Sequence, residues 1–125
     1  MREPDIPAAS VEEQLAAILA SKSFCRSERL RDFLTFVVRE TMAGRGDQLK
    51  EYTIAADVFR RTDSYDPKSD ALVRVEARRL RNKLKEYYAA EGRGARIVIE
   101  LPKGSYKPVF TPRNGRVQSM LRRPP

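Results

Sequence analysis

The basic side chains between Val73 and Tyr88 are the residues whose type and spacing most clearly indicate chemistry in this sequence. The stretch VRVEARRLRNKLKEYY holds six of them and contains neither glycine nor proline, so it predicts one continuous helix. Guanidinium and ammonium groups on such a helix bind anions, and arginine also forms paired hydrogen bonds with planar acceptors. The alternative interpretation is an ordinary charged face in contact with solvent.

The apolar positions divide this helix into two faces. At about 100° per residue, the face expected to be buried carries Val73, Ala77, Leu80, Leu84 and Tyr87. The opposite, outward face carries Ala71, Val75, Arg78, Arg79 and Asn82. The remaining basic residues lie at its flanks, Arg74, Arg81 and Lys85 on one side and Lys83 on the other.

The outward face differs from an ordinary solvated helix face in two ways. Solvated faces usually mix acidic and basic residues, but the outward positions from Val75 to Asn82 carry no acid, and Glu76 lies toward the buried side. Val75 is also a β-branched apolar residue in the middle of the basic face. Solvent gives no reason for it, whereas a thymine methyl group in the major groove does. The face therefore predicts a surface for nucleic acid.

The charge of the whole chain supports an anionic partner. The 125 residues suit one domain with a modest core, and they carry a net charge of +8 with a pI near 10.0. Residues 1–50 hold eight basic and eight acidic side chains, and residues 51–125 hold seventeen and nine. Because the whole excess lies in the second part, it can form a patch. Nucleic acid is the first expectation, before acidic lipid or acidic protein.

Several classes of protein are disfavoured by the composition. The chain has one cysteine, Cys25, and no histidine, so neither a disulfide framework nor a zinc site is expected. We expect no enzyme, no catalytic residue, no metal and no cofactor, and we interpret Asp63, Asp66 and Asp70 as loop and cap residues. No apolar run is long enough for a membrane span, and the first residues lack the hydrophobic region of a signal peptide. A cytoplasmic, nucleoid-associated location is expected.

The first half predicts two helices. Ser10 and Glu13 have the spacing of a capping box and would open a helix that ends near Ser21. The second helix is expected from Ser27 to Ala43, with Gly44 as its stop. Because residues 10–44 are nearly neutral and well patterned, we interpret them as a core scaffold, with a dimer surface as the alternative. Residues 1–9 are expected to form a flexible arm.

The second half predicts a helix-turn-helix over residues 53–90 and a hairpin over residues 95–111. Thr53 would cap a short helix, and Ser69 or Asp66 would cap the long basic one. Asp70 would lie in its first turn, and the helix would run to about Ala90. Alternating apolar residues on both sides of a PKGS turn predict the two strands, with Pro108 placing the second at an edge. Residues 112–125 are expected to be a disordered basic tail.

The segments TIAADVFRR, SDALVRVEARRLRNKL and IVIELPKGSYKPVF together resemble the C-terminal winged-helix domain of OmpR/PhoB-type bacterial response regulators. The family's recognition helix shows Val-x-Val-x-x-Arg-Arg-Leu-Arg, matched here from Val73 to Arg81, and its hairpin turn is matched by Gly104 and Tyr106. The resemblance covers residues 53–111. Two helices stand where the family has an N-terminal β-sheet, and Ser105 stands where it has a second glycine. Residues 10–111 also resemble a module at the N-terminus of larger bacterial regulators with repeat domains.

The order of predicted elements, a short helix, a loop, the long basic helix and a β-hairpin behind two scaffold helices, is that of a winged helix-turn-helix, so we expect a mainly α fold with a C-terminal β-hairpin. The resemblance implies a transcriptional regulator whose long basic helix enters the major groove of DNA. The implied DNA-binding residues are Arg74, Val75, Arg78, Arg79, Arg81, Asn82, Lys83 and Lys103. Val75 and Arg79 would meet base edges, the other arginines would hold phosphates or share base contacts, and Asn82 and Lys83 would approach the backbone.

Some roles and partners stay open at this point. Arg81 has the alternative of an ion pair with Asp70 or Glu86, and Lys103, expected at the flanking minor groove or backbone, has that of an ordinary turn lysine. Tyr87, Tyr88 and Tyr106 are expected in the core or at its rim. The expected partners are double-stranded DNA and a second copy of the chain, bound through residues 10–44. A winged-helix protein-interaction module and a non-specific nucleic-acid-binding protein are the alternatives, and a protein partner is left open.

Overall fold

The computed structural model describes residues 6–59 and 71–113. Over these residues the chain is mainly helical and ends in a two-stranded antiparallel hairpin, as the sequence predicts. The helices are α1 (Ala8–Ala20), α2 (Glu28–Met42), α3 (Glu51–Asp57) and α4 (Leu72–Ala89), and the strands are β1 (Ile97–Glu100) and β2 (Val109–Pro112). Short 3-10 turns occupy Gly46–Gln48 and Glu91–Gly94.

The apolar faces of α1 and α2 bury Leu15, Ile18, Phe33, Leu34 and Val37, which pack into one core with α3, α4 and β1. The scaffold interpretation of residues 10–44 agrees with this packing. The ends of α2 are also as predicted, because Ser27 precedes it and Gly44 follows it with φ of 87°, a conformation that favours glycine.

The predicted starts of two helices are wrong. α1 begins at Ala8, where the sequence predicted the arm, and Ser10 makes no capping bond. The Ser10 amide already donates to Pro7 O at 3.0 Å, so Ser10 lies inside the first turn. α3 begins at Glu51, and the hydroxyl of Thr53 donates back to Gln48 O at 3.4 Å instead of capping the helix.

The apolar stripe predicted for α4, from Val73 to Tyr87, is buried in the core, and so is Glu76. Val75 and the arginines beside it are exposed. The predicted end near Ala90 is also observed, because α4 ends at Ala89. The proposed caps Asp66 and Ser69, together with Asp70, lie outside the described residues.

The hairpin pairs Ile99 with Phe110 and Glu100 with Val109. Gly104 lies in the connecting loop with φ of 81°, which a residue with a side chain adopts only with strain. The hydroxyl of Ser105 accepts the amide of Lys107 at 3.0 Å. A polar side chain therefore stabilises this turn locally.

The outer edge of β1 is covered by the helix before it. The hydroxyl of Tyr88 donates to Ile97 O at 3.0 Å and accepts from Ile99 N at 2.8 Å. These two strand residues lack a ladder partner on that side, so the tyrosine satisfies them. The hairpin is thus attached to α4 through main-chain atoms.

In the segments 6–59 and 71–113, none of the helices has both the length and the hydrophobicity needed to cross a bilayer.

Candidate nucleic-acid interface

The outward face of α4 is an exposed surface. Val75 is 47% exposed, which makes it one of the most exposed large hydrophobic residues in the described part of the chain. Arg78, Arg79 and Asn82 are exposed beside it. The structure therefore brings together the residues of the predicted outward face, with an apolar side chain among basic and amide groups.

A groove of about 840 Å³ lies between α4 and the hairpin. Arg78, Asn82 and Lys85 line its helix side, while Lys103 and Arg113 line its hairpin side. These side chains place positive charge on both walls, and Glu100 is the acidic residue of the lining. A groove with this charge suits an extended anion such as a nucleic-acid backbone.

Arg74 at the flank is held by an acidic partner. Its Nη1 atom lies 2.8 Å from Glu51 Oε2, and the hydroxyl of Tyr106 donates to the same oxygen at 3.2 Å. This cluster joins α3, α4 and the hairpin loop. Burial, followed by the negative charge of Glu51, raises the pKa of Tyr106.

Arg79 is less constrained. Its Nε atom is 3.9 Å from the buried carboxylate of Glu76, and Arg29 approaches that carboxylate at 3.3 Å from α2. The Arg79 side chain remains 64% exposed. It can therefore leave Glu76 for a ligand while Arg29 continues to compensate the buried charge.

Arg81 points to the hairpin loop and not to solvent. Its guanidinium donates to three main-chain carbonyl oxygens, those of Leu101, Pro102 and Ser105. The expected alternative partner Glu86 instead pairs with Lys83, at 3.4 Å. Arg81 and Lys83 are thus engaged within the chain, one with the loop and the other with its own helix.

The basic side chains Arg78, Lys85 and Lys103 behave differently. In residues 6–59 and 71–113 they have neither an ion pair nor a side-chain hydrogen bond. The same holds for the amide of Asn82. Because these groups share the groove, their hydrogen-bonding capacity is available to a ligand.

The three tyrosines lie in the core or at its rim. Tyr87 is buried, and Tyr88 and Tyr106 are half-buried. Gln14 donates to the hydroxyls of Tyr87 and Tyr88. No aromatic platform for stacking bases is formed by these side chains.

The structure adds residues that the sequence did not single out. Glu51 and Arg113 contact the predicted site from α3 and from the residue after β2, and neither carries a local signal of that role. Arg113 stacks on the ring of Tyr88 with a distance of 5.5 Å to the ring centre. Such contacts depend on how distant elements pack against α4, which the residue spacing within one helix does not specify.

Within the described ranges, no cluster of three or more histidine, cysteine, aspartate or glutamate side chains has an arrangement that suits a metal ion. Cys25 is exposed and forms no disulfide.

Comparisons with protein-family models, with curated proteins and with solved structures found no match for this chain.

Proposed function

We propose that the protein is a sequence-specific double-stranded DNA-binding protein that regulates transcription. In this proposal α3, α4 and the hairpin form a winged helix-turn-helix. α4 enters the major groove, and the hairpin lies on the flanking minor groove or backbone. The observation that carries the proposal is the outward face of α4, where Val75 is exposed among Arg78, Arg79 and Asn82.

The chemistry of this face favours base readout. Arginine donates two parallel hydrogen bonds to O6 and N7 of guanine, and asparagine pairs with adenine in a similar way. A valine beside them has the size and polarity to contact a thymine methyl group. A surface that binds only phosphates needs the cations but gains nothing from the valine.

The groove supports a second set of contacts. Lys85, Lys103 and Arg113 line it without an acidic partner in the described part of the chain. Phosphates of a bound duplex are the ligands that suit these cations, because each contact releases condensed counterions. Lys103 is exposed at the turn of the hairpin loop, and in this proposal it reaches the flanking sequence.

The test is a selection of bound sequences from random duplex DNA, followed by affinity measurements on the selected and scrambled duplexes at several salt concentrations. We expect the selected sequence to bind at least about a thousandfold more tightly than the scrambled one. Both affinities should fall as salt rises, with a linear relation between the logarithms.

Two charge-reversal variants serve as a matched pair for this experiment. Arg78→Glu changes an unpaired arginine of the outward face, and Arg26→Glu changes an exposed arginine before α2. We expect the first to weaken binding of the selected duplex strongly and the second to change affinity little. Equal affinity of the wild-type protein for selected and scrambled duplexes would indicate a non-specific protein, and absence of salt-dependent binding by the wild-type protein would favour a protein-interaction module.

A further inference from the structure

The guanidinium of Arg81 donates three hydrogen bonds to one loop. Its Nε donates to Leu101 O at 2.9 Å, and one Nη donates to Pro102 O at 3.2 Å and to Ser105 O at 3.3 Å. These carbonyls surround the turn that carries Lys103. The contacts join positions 20 to 24 residues apart in the chain.

The far side of the loop is held by Tyr106, whose hydroxyl donates to Glu51, and by Lys107, whose Nζ lies 2.9 Å from Asp47. On the side of α4, Arg81 donates to the carbonyl oxygens on both sides of Lys103. The loop connects β1 to β2 outside the strand ladder, and its own bonds are Ser105 N to Pro102 O at 3.3 Å and Lys107 N to the hydroxyl of Ser105. Convergent carbonyl oxygens need a donor with several N–H groups in a fixed plane. Arginine provides this arrangement, whereas lysine provides a single nitrogen on a flexible stem.

We infer that Arg81 is a positioning residue that fixes the hairpin loop, and with it Lys103, against α4, and that it does not itself contact the anionic partner. Arg81 also lines the groove, but the hydrogen bonds of its Nε and of one Nη go to the loop. The guanidinium carries its charge beside the groove, but its hydrogen bonds set the distance between the two walls. Replacing Arg81 by lysine keeps the positive charge and removes the planar set of N–H donors.

The loop contact can be tested without any ligand. In the intact wild-type protein, the Arg81 Nε–H group should exchange with solvent at least about tenfold more slowly than the Arg78 Nε–H group, because only the former is hydrogen-bonded. Nuclear magnetic resonance of the two arginine side chains measures both rates in one sample. Equal rates for the two groups would overturn the inference.

Limited trypsin digestion gives a second measure of the same contact. In Arg81→Lys, cleavage after Lys103 should become about tenfold faster, since proteolysis follows the population of the opened loop and about two hydrogen bonds are lost. Arg78→Lys is the matched control and should be cleaved at the wild-type rate. Circular dichroism establishes that both variants are folded. An unchanged rate in folded Arg81→Lys would contradict the inference.

The consequence for DNA rests on the proposed function. If Arg81 positions the hairpin, Arg81→Lys and Arg81→Met should both lose affinity for the selected duplex by about the same factor, roughly tenfold. If Arg81 binds a phosphate, Arg81→Lys should bind like the wild type and Arg81→Met should not, which overturns the inference. Absence of DNA binding by the wild type would defeat the proposed function alone, because the exchange and digestion experiments use no DNA.

Discussion

Val75 and Arg79 lie one helical turn apart on the outward face of α4, and their surroundings suggest different tasks from those of Arg74. Val75 and Arg79 are exposed, and among the described residues Arg79 has an ion pair with Glu76 at 3.9 Å. Arg74 is at the flank, where Glu51 holds it at 2.8 Å. Base contacts are therefore expected from the centre of the face and phosphate contacts from its margin.

Arg79→Ala and Arg74→Ala should separate these tasks. Arg79→Ala should cost about 1–3 kcal/mol of binding free energy on the preferred duplex and little on a scrambled one. Arg74→Ala should weaken binding to both duplexes by similar amounts and reduce the salt slope by about one, because a cation beside the DNA phosphates is lost. Titrations of both variants on both duplexes at several salt concentrations provide the measurement. Uniform losses with unchanged discrimination would mean that the helix binds backbone only.

Glu51→Gln should strengthen binding to any duplex. The substitution removes a negative charge that lies beside Arg74 and Tyr106 at the proposed interface. We expect a gain of about two- to fivefold on preferred and scrambled duplexes alike, the size of a typical exposed ion pair, and a steeper salt dependence. Glu12→Gln, which removes the partner of Arg39 in the scaffold helices, is the matched control. An equal or larger gain for Glu12→Gln would show that local charge beside Arg74 is unimportant.

At the scale of elements, the hairpin packs on side chains of α4, and the described part of the chain adds no third strand to it. Tyr88 satisfies the free edge of β1, and Arg113 stacks on its ring while donating to the carbonyl oxygen of Gly92. The two-stranded hairpin alone would be marginal. We therefore expect the position of the hairpin to depend on its contacts with α4.

Tyr88→Phe should destabilise the fold by about 1–3 kcal/mol, because it leaves Ile97 O and Ile99 N without their hydroxyl partner. Urea unfolding at neutral pH measures the change. Tyr52→Phe alters an exposed tyrosine and should leave the free energy of unfolding nearly unchanged. Equal stabilities of the two variants would show that the hydroxyl is dispensable.

The pH dependence of stability should also reveal the contribution of the Tyr88 hydroxyl. Burial raises the pKa of Tyr88 above its ordinary value, which is about 10, so the folded state retains the proton after the unfolded state has lost it. This contribution is fully present below the unfolded pKa and is lost as pH rises through the folded one. Wild-type stability should therefore fall more steeply above about pH 10 than that of Tyr88→Phe. Parallel profiles of the two proteins in urea would contradict this expectation.

At the scale of the whole molecule, the excess positive charge and the exposed large hydrophobic side chains of the described residues lie in the same part of the chain, outside residues 10–44. The excess positive charge lies after Lys50. Among the described residues, the large hydrophobic side chains with high exposure are Tyr52, Val75 and Val109, all outside residues 10–44. The proposed dimer surface within 10–44 thus has no exposed large apolar side chain to drive association by itself, and pairing is expected only when DNA brings two copies together.

We predict a monomer in free solution and two copies on a full site, with half-sites about one helical turn apart. Sedimentation with and without duplex measures the stoichiometry. A spin label on the exposed Cys25, the one cysteine of the chain, should show coupling between copies only on DNA. One monomer on a full site would contradict the prediction of two copies. A stable dimer without DNA would contradict the prediction that the copies pair only on DNA.

The sequence by itself determined the two faces of α4, because helical periodicity is a local property. Five apolar positions from Val73 to Tyr87 were enough to predict the buried stripe, and the outward position of Val75 followed from the same angle. The end of α2 just before Gly44 and the hairpin were predictable for the same reason, since a glycine after a helix and alternating apolar residues in a strand are short-range signals. The predicted starts at Ser10 and Thr53 failed because more than one nearby residue could begin each helix.

Only the tertiary structure decided which cations have partners. Arg81 binds carbonyls of the hairpin loop, Arg74 binds Glu51, and Arg78 contacts neither acid nor carbonyl through its side chain in the described part of the chain. All three look alike in the sequence. Their differences arise from how α3 and the hairpin cross α4, and such long-range contacts depend on packing of the whole core, which residue spacing within one helix does not specify.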